Sequence, residues 1–266
     1  MSGNYGKFSV LTLEEFGAYL NARQFSRAIK LIQNHHTAVP GYAQFKGDNH
    51  VAMMQAMEDY HIHHAGMSAI AQNLTTFPDG KIGLGRDIDT VPAGIKGANT
   101  IGICIEHVGN FDLGGDEMTV QHRATITGLN ALLCRRFNLK PSTDTIVYHH
   151  WYDLKTGERK NGAGVTKTCP GTGFFGGNTV EAAAAHFVPL VAAALGGILA
   201  PKAEPKQMRV TAASGLNVRS APAFNASIVA SLQPGQTVDV HEESDGWARI
   251  HPTKQMWANL GYLKAV

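Results

Sequence analysis

The sequence predicts an α/β domain followed by a small all-β barrel. Three observations carry that expectation. Near-continuous apolar runs at residues 28–32, 101–106 and 146–148 alternate with helical patterns, as buried strands and their covering helices do. A short charged stretch with two prolines, Pro201-Lys202-Ala203-Glu204-Pro205-Lys206, reads as a linker. Beyond it, short apolar runs recur between turn signals at a spacing of about 8–12 residues, the rhythm of an all-β module.

The elements follow in order. Thr12-Leu13-Glu14-Glu15 is a capping box that opens a helix to about residue 20, with Leu13, Phe16 and Leu20 on one face. The first strand, 28–32, runs into His35-His36. Asp48 is the expected cap of a helix over 49–60, after which His61, His63 and His64 bunch together. Histidines at a helix C-terminus are stabilised by the dipole and solvated, so they are not expected to bind metal. Two runs, 70–76 and 81–84, flank Pro78-Asp79-Gly80 and predict a hairpin. The strand over 101–106 ends on Glu106. Asp116 is the expected cap of a long helix to about residue 137, with Ile126, Leu129, Leu133 and Phe137 as its apolar stripe. The 146–148 strand delivers His149 and His150. A Gly-rich polar loop leads on to Lys167-Thr168-Cys169-Pro170-Gly171, and Asn178 is the expected cap of an Ala-rich helix. The C-terminal module predicts strands over 208–211, 216–219, 227–232, 237–241, 247–250 and 257–263.

Bulk properties exclude little but bound the rest. A chain of 266 residues holds one large domain or two smaller ones. A net charge of +2 is too small to argue for nucleic acid and gives only a faint pull toward anionic partners such as a cell wall. Cys104, Cys134 and Cys169 form no disulfide framework, because the count is odd and the spacing wide. Cys134 fits a helix core. No apolar stretch follows a basic start at the N-terminus, so no secretory signal is visible and synthesis in a cytoplasm is expected. The most membrane-like stretch, 180–200, carries Glu181, His186 and Pro189 and is broken by Gly196-Gly197. It is expected to be a domain helix, with no membrane as partner.

The chemistry concentrates in two places. His35-His36 and His149-His150 each follow a strand, and Cys169 lies on the loop after the second. Imidazole and thiolate are ligands of tetrahedral zinc, and a catalytic site keeps three of them plus a water. A carboxylate such as Glu106 takes a proton from that water, and a lysine such as Lys167 stabilises the developing oxyanion. No H-E-x-x-H motif occurs, so such a site must be assembled from distant segments. Two readings compete with zinc. One is a cysteine hydrolase using Cys169 or Cys104, although Cys104 sits in an apolar strand where thiols are inert. The other is a binding protein in which these residues are idle.

A resemblance then adds to the residues. Asn34-His35-His36-Thr37-Ala38, the Asp79-Gly80-Lys81-Ile82 turn with Gly85-Arg86-Asp87, and Lys96-Gly97-Ala98-Asn99-Thr100-Ile101-Gly102-Ile103 occur in that order. Tyr148-His149-His150 through Lys167-Thr168-Cys169-Pro170-Gly171 follows. Together they resemble the type-2 N-acetylmuramoyl-L-alanine amidases, a group that includes phage lysozyme-amidases and peptidoglycan recognition proteins, over about residues 28–195. The resemblance implies an α/β amidase domain with a mixed central sheet and flanking helices. It implies zinc (Zn2+) held by His35, His149 and Cys169, with Lys167 as the catalytic lysine and His36 and His150 in support. Many members use a catalytic tyrosine on the hairpin strand, where this chain has Ala71. Others use a glutamate on the strand after Ile-Gly-Ile. Here Cys104 stands at that position, and Glu106, two residues on and on the same face, is the expected proton shuttle. The segment 151–165 is longer than in compact members and is expected to touch substrate.

Gly215-Leu216-Asn217-Val218-Arg219-Ser220-Ala221-Pro222, Leu232-Gln233-Pro234-Gly235, Asp245-Gly246-Trp247-Ala248-Arg249-Ile250 and Gly261-Tyr262-Leu263 resemble bacterial SH3-type wall-binding domains. Leu216, Val218 and Trp247 are expected to serve packing. The expected organisation is an amidase domain over 1–200, a linker over 201–207 and an SH3-like barrel over 208–266. The resemblance implies hydrolysis of the amide between N-acetylmuramic acid and L-alanine in peptidoglycan, leading to wall lysis. It fits a phage or prophage endolysin that reaches the wall by a holin-type or other signal-independent route. A bacterial autolysin, a peptidoglycan endopeptidase and a non-catalytic peptidoglycan-binding protein are the alternatives.

Overall fold

The computed structural model describes residues 6–199, 205–251 and 254–266. The chain divides into two compact units, Met1–Leu199 and Ala200–Val266. Most of the expected linker, residues 201–204, lies outside the described residues.

The first unit is built on a six-stranded mixed sheet: β1 (Val10–Leu11), β2 (Leu31–His36), β3 (Leu74–Thr76), β4 (Ile82–Leu84), β5 (Gly102–His107) and β6 (Ile146–Tyr148), in the order β1-β4-β3-β5-β2-β6. The β3–β5, β5–β2 and β2–β6 pairs are parallel, and the hairpin β3–β4 and the edge pair β1–β4 are antiparallel. The parallel strands read as near-continuous apolar runs because both sheet faces are covered. The hairpin turns at Gly80, whose φ of +83° suits glycine.

Register and alternation sort the side chains. In-register partners Gly83, Thr75, Glu106 and His35 form one row across β4, β3, β5 and β2 and point to one face. The helix α2 (His50–His63) packs on that face. Gly83 makes room for it, since a Cβ there would lie 2.3 Å from Met54 Sδ. Met53, Met54, Met57, Ile70, Phe77 and Val108 form the apolar cluster beneath it.

The opposite face carries the main core. Ile32, Leu74, Ile82, Ile103 and Ile105 meet Phe16 and Leu20 of α1 (Leu13–Ala22) and Ile126, Leu129 and Leu133 of α3 (Val120–Arg136). The capping box at Thr12 and Glu15 forms as expected. One polar chain crosses this face. Asn34 and Asn130 exchange amide hydrogen bonds of 3.1 and 3.0 Å, and His107 Nε2 donates to Asn34 Oδ1. With that proton fixed, His107 Nδ1 accepts from Thr76 Oγ1, which accepts from His122 Nε2, whose Nδ1 accepts from Tyr42 Oη. Both imidazoles are neutral: burial lowers His107 well below its ordinary pKa and takes His122 down to about 3. The chain ties β2, β3 and β5 to α3 directly behind the row that carries His35 and Glu106.

Several boundaries differ from the expectations. His35 and His36 lie within β2, and Glu106 within β5, because the apolar pattern ends before the hydrogen bonding does. α2 runs on to His63. Asp48 is not its cap; Asn49 holds that position, and its side chain bonds Lys46 N and Gln44 O instead. Thr119, not Asp116, caps α3, while Asp116 accepts from the Tyr42 and Asn110 amides. Thr179, not Asn178, caps the Ala-rich helix. That helix runs through α4 (Val180–Ala182), a π-helical turn at Ala183–Phe187, and α5 (Val188–Leu199). Ala183, Phe187 and Val191, four residues apart, are buried in the core, and α5 lies against α3. By length and composition its window Val180–Gly197, of mean hydropathy 1.5, is long and apolar enough to cross a membrane, and 17% of it is buried.

The second unit is all β: β7 (Lys206–Val210), β8 (Leu216–Arg219), β9 (Ile228–Leu232), β10 (Thr237–Val240), β11 (Glu242–Ser244), β12 (Trp247–Arg249), β13 (Trp257–Asn259) and β14 (Leu263–Ala265). They pair antiparallel in sheets β10-β7-β14 and β11-β12-β13-β8-β9. Val210, Leu216, Val218, Leu232, Val240 and Ala248 lie in its core, and Trp247 is 5% exposed with its ring against Phe224.

Candidate metal centre

His35, near the end of β2, and His149, in the turn after β6, come together because Asn34 and Tyr148 are register partners on adjacent parallel strands. Their Nδ1 atoms are 3.1 Å apart and the rings meet edge to face. A donor atom of each, with Cys169 Sγ, forms a set lying within 4.8 Å of one another, and all three residues are buried. Tetrahedral zinc with bonds of 2.0–2.1 Å to nitrogen separates two such ligands by about 3.3 Å, close to the gap present here. Two neutral imidazoles with facing Nδ1 atoms, plus one thiol, are a donor set suited to zinc. Burial, then the charge of Lys167, takes His149 down to about 3. Burial, then His149, holds His35 well below its ordinary value. Both imidazoles therefore present lone pairs at neutral pH. His35 Nε2 is buried without a hydrogen-bond partner among the described residues, so this ring is held by packing and strand register.

The cysteine loop is pinned at three successive carbonyls. His150 Nδ1 donates to Lys167 O, Asn178 Nδ2 to Thr168 O, and the His150 amide to Cys169 O, at 2.9, 2.7 and 2.8 Å. The Asp112 carboxylate clasps the loop from the other side through Thr168 Oγ1 and the Thr172 amide. Gly171 is required there: its φ is +118°, and a Cβ would lie 2.4 Å from the Phe111 backbone. His36 Nδ1 accepts from the Phe111 amide, which fixes the segment carrying Asp112. The second histidine of each pair thus shapes the loop around the donors. Sequence reasoning assigned Asn178 to a helix cap and passed over Asp112. Neither carries a local signal, because their partners are 10 and 56–60 residues away.

Glu106 Oε1 lies 3.8 Å from His35 Nδ1, and the Glu106 side chain is 19% exposed. Burial raises its carboxyl to about 8 against the opposing pull of Lys167. A carboxyl poised there exchanges protons readily near neutral pH. The exposed Lys167 ammonium makes no ion pair among the described residues. Cys104 lies directly below Glu106, fully buried, in a second set with His35 and Glu106. Burial, then Glu106, pushes the Cys104 thiol well above its ordinary value, and the same two causes raise Cys169 to about 12. Burial disfavours the thiolate at both positions, which counts against the cysteine-hydrolase reading.

A groove of about 1040 Å³ opens on Glu106, Lys167 and His36 and runs between α2 and the Thr37–Lys46 segment. The expected substrate loop, 151–165, contributes nothing to its lining. That loop winds around the Asp153 carboxylate, which accepts from the Lys155, Thr156 and Val165 amides. The His61–His64 cluster holds no metal set among the described residues: His61 accepts from the Ala71 amide, His63 lies beside Asp59, and His64 stacks on Tyr60.

Residues 25–172 match the family model of N-acetylmuramoyl-L-alanine amidases, and residues 214–264 that of bacterial SH3 domains. No curated protein matches the sequence. Among solved structures, the chain is similar to the N-acetylmuramoyl-L-alanine amidase LysC from Clostridium intestinale URNW, at 20% identity, covering 64% of this chain and 87% of that one, with a TM-score of 0.42. It is also similar to wild-type Drosophila PGRP-LB, at 18% identity, covering 59% and 87%, with a TM-score of 0.46. Human PGRP-IBETAC in complex with glycosamyl muramyl pentapeptide is 19% identical, covering 50% of this chain and 80% of that one, with a TM-score of 0.41.

Proposed function

The chain belongs to the N-acetylmuramoyl-L-alanine amidase family, and from that premise we propose that it is a zinc-dependent hydrolase of the amide bond joining N-acetylmuramic acid to L-alanine in peptidoglycan. The observation that carries the zinc reading is the convergence of His35, His149 and Cys169, one donor atom from each within 4.8 Å of the others, next to Glu106, which lines the groove.

In this reading His35, His149 and Cys169 hold the metal. Bound zinc acidifies water and polarises a carbonyl. The chain's own groups do the rest. Glu106, beside His35, accepts the proton of the attacking water and returns it to the leaving amine of L-alanine. The Lys167 ammonium, at the groove mouth, offsets the negative charge that develops on the amide oxygen. The groove holds the substrate so that the scissile carbonyl stays at these groups.

The SH3-like domain fits a wall tether, since a second contact on the same polymer raises the local concentration of the first. The pairing of the two domains supports an endolysin that lyses the wall. Zinc dependence is tested by reconstitution. Chelator-treated chain is expected to lose peptidoglycan hydrolysis and to regain it at about one equivalent of zinc. Full activity after metal removal contradicts the reading.

A further inference from the structure

The second unit carries a pocket of its own, on the outer face of the sheet β11-β12-β13-β8-β9. Trp247 pairs with Asn259, and Val218 with Ala258, so Asn217 stands beside Asn259. Leu216, Val218, Ala248 and Ala258 turn into the barrel core, which by alternation puts Trp247, Asn259, Asn217 and Arg219 on the other face. Phe224, from the loop between β8 and β9, sets its ring 5.0 Å from that of Trp247, and Tyr262 comes from the turn before β14. These six side chains line a pocket of about 260 Å³. That lies just below the range of pockets for drug-sized ligands, so it suits one ring and its substituents.

Apolar and polar groups alike stand unused here. Phe224 is 72% exposed and Tyr262 51%. Asn259 Oδ1 accepts from the Gly261 amide, and Arg219 Nη1 donates to Ala226 O at 2.8 Å. The Asn217 side chain, Asn259 Nδ2, Tyr262 Oη and the remaining Arg219 nitrogens have no hydrogen-bond partner among the described residues. Arg219 is the one charged group of the lining and makes no ion pair among the described residues. Exposed rings beside unpaired amides suit a sugar, whose ring has an apolar C–H face and a polar rim. An extended peptide is matched less well. β8, β12 and β13 are interior strands paired on both edges, so no backbone ladder is open to it. Nor does the lining, among the described residues, offer a carboxylate to a peptide's amino group.

We propose that this pocket binds an acetylated sugar bearing a free carboxylate, with the ring against Phe224 and Tyr262 and the carboxylate on Arg219, whose planar fork matches it. The choice of sugar rests on the amidase reading. Adding water across the amide between N-acetylmuramic acid and L-alanine leaves the lactyl group as a free carboxylate and the alanine as a free amine. On an uncut strand the same group is a neutral amide. The pocket thereby tells stripped glycan from intact glycan, and it holds the chain where the wall has already been cut.

The test is equilibrium binding of the disaccharide of N-acetylglucosamine and N-acetylmuramic acid, its lactyl carboxyl free, to the full zinc-loaded chain. The same disaccharide with that carboxyl reduced to the alcohol is the reference, which an amidase leaves uncut. The unaltered chain is expected to bind the acid about tenfold more tightly than the alcohol. Arg219→Met is expected to lose that preference and to bind the alcohol as before. Tyr262→Ala, at an exposed ring, is expected to weaken both by about fivefold. A thermal melt of each variant checks the fold, and Tyr262→Ala carries the test if Arg219→Met unfolds. Equal binding of acid and alcohol by the unaltered chain overturns the proposal. So does a preference that survives in folded Arg219→Met, unchanged binding by Tyr262→Ala, or a free stem tetrapeptide that displaces the disaccharide from this pocket. Free L-alanine ends from digested wall, with acid and alcohol bound equally, strike this proposal alone. The binding preference without such ends strikes the amidase reading alone.

Discussion

Replacing Cys169 by Ser is expected to abolish zinc retention through dialysis and to lower peptidoglycan hydrolysis by at least about a thousandfold. The magnitude follows from the role given to the metal, which supplies several kcal/mol of transition-state stabilisation, each 1.4 kcal/mol being about a factor of ten. A serine hydroxyl is a poor substitute for thiolate toward zinc, and two imidazoles alone leave the ion half held. The fold is expected to survive. Cys169 is buried, but its backbone is pinned by His150, and its neighbour Thr168 by Asn178 and Asp112, none of which involves the sulfur. Metal content by elemental analysis and a thermal melt of the same sample separate the two effects. A variant that keeps one zinc per chain removes Cys169 from the centre.

Glu106→Gln is expected to do the reverse: zinc stays at one per chain and turnover falls by about a hundred- to a thousandfold, the usual worth of a positioned proton-transfer group. The amide keeps the shape and packing of the side chain but cannot carry a proton. A pH profile sharpens the test. Glu106 must start ionised to accept a proton, so turnover of the unaltered chain falls as pH drops through its pKa. That pKa is about 8 for the site without metal, raised by burial. A bound cation opposes that rise and lowers it, so the limb lies at or below about pH 8. The Gln variant is expected to lack that limb. Undiminished turnover takes Glu106 out of the mechanism and leaves Lys167 as the acting side chain.

The difference between these two residues shows how far the sequence is informative. The pairs His35-His36 and His149-His150 and the loop thiol Cys169 were legible because each ends or follows a buried strand, and parallel neighbours bring such ends together; the resemblance, not the spacing, picked His35 and His149 from the pairs. Glu106 was legible only through alternation: it shares a face with Cys104, and the register sets it opposite His35. The hairpin at Gly80 and the box at Thr12 were readable because turn and capping chemistry is local. The caps at Asp48, Asp116 and Asn178 were misread for the complementary reason. Each is followed by a helix, but their neighbours Asn49, Thr119 and Thr179 take the cap position, and Asp116 and Asn178 bond distant loops instead. The groove had no sequence signature, because its walls come from α2 and from a segment ahead of it that is closed by one asparagine.

The central claim concerns which bond is cut. Purified peptidoglycan digested with the full chain, with and without chelator, and analysed by mass spectrometry for new ends tests it most directly. The expected result is free amino-terminal L-alanine on intact stem peptides, absent when chelator is present. New reducing sugars, new ends between stem amino acids, or the same release in the presence of chelator would contradict the account.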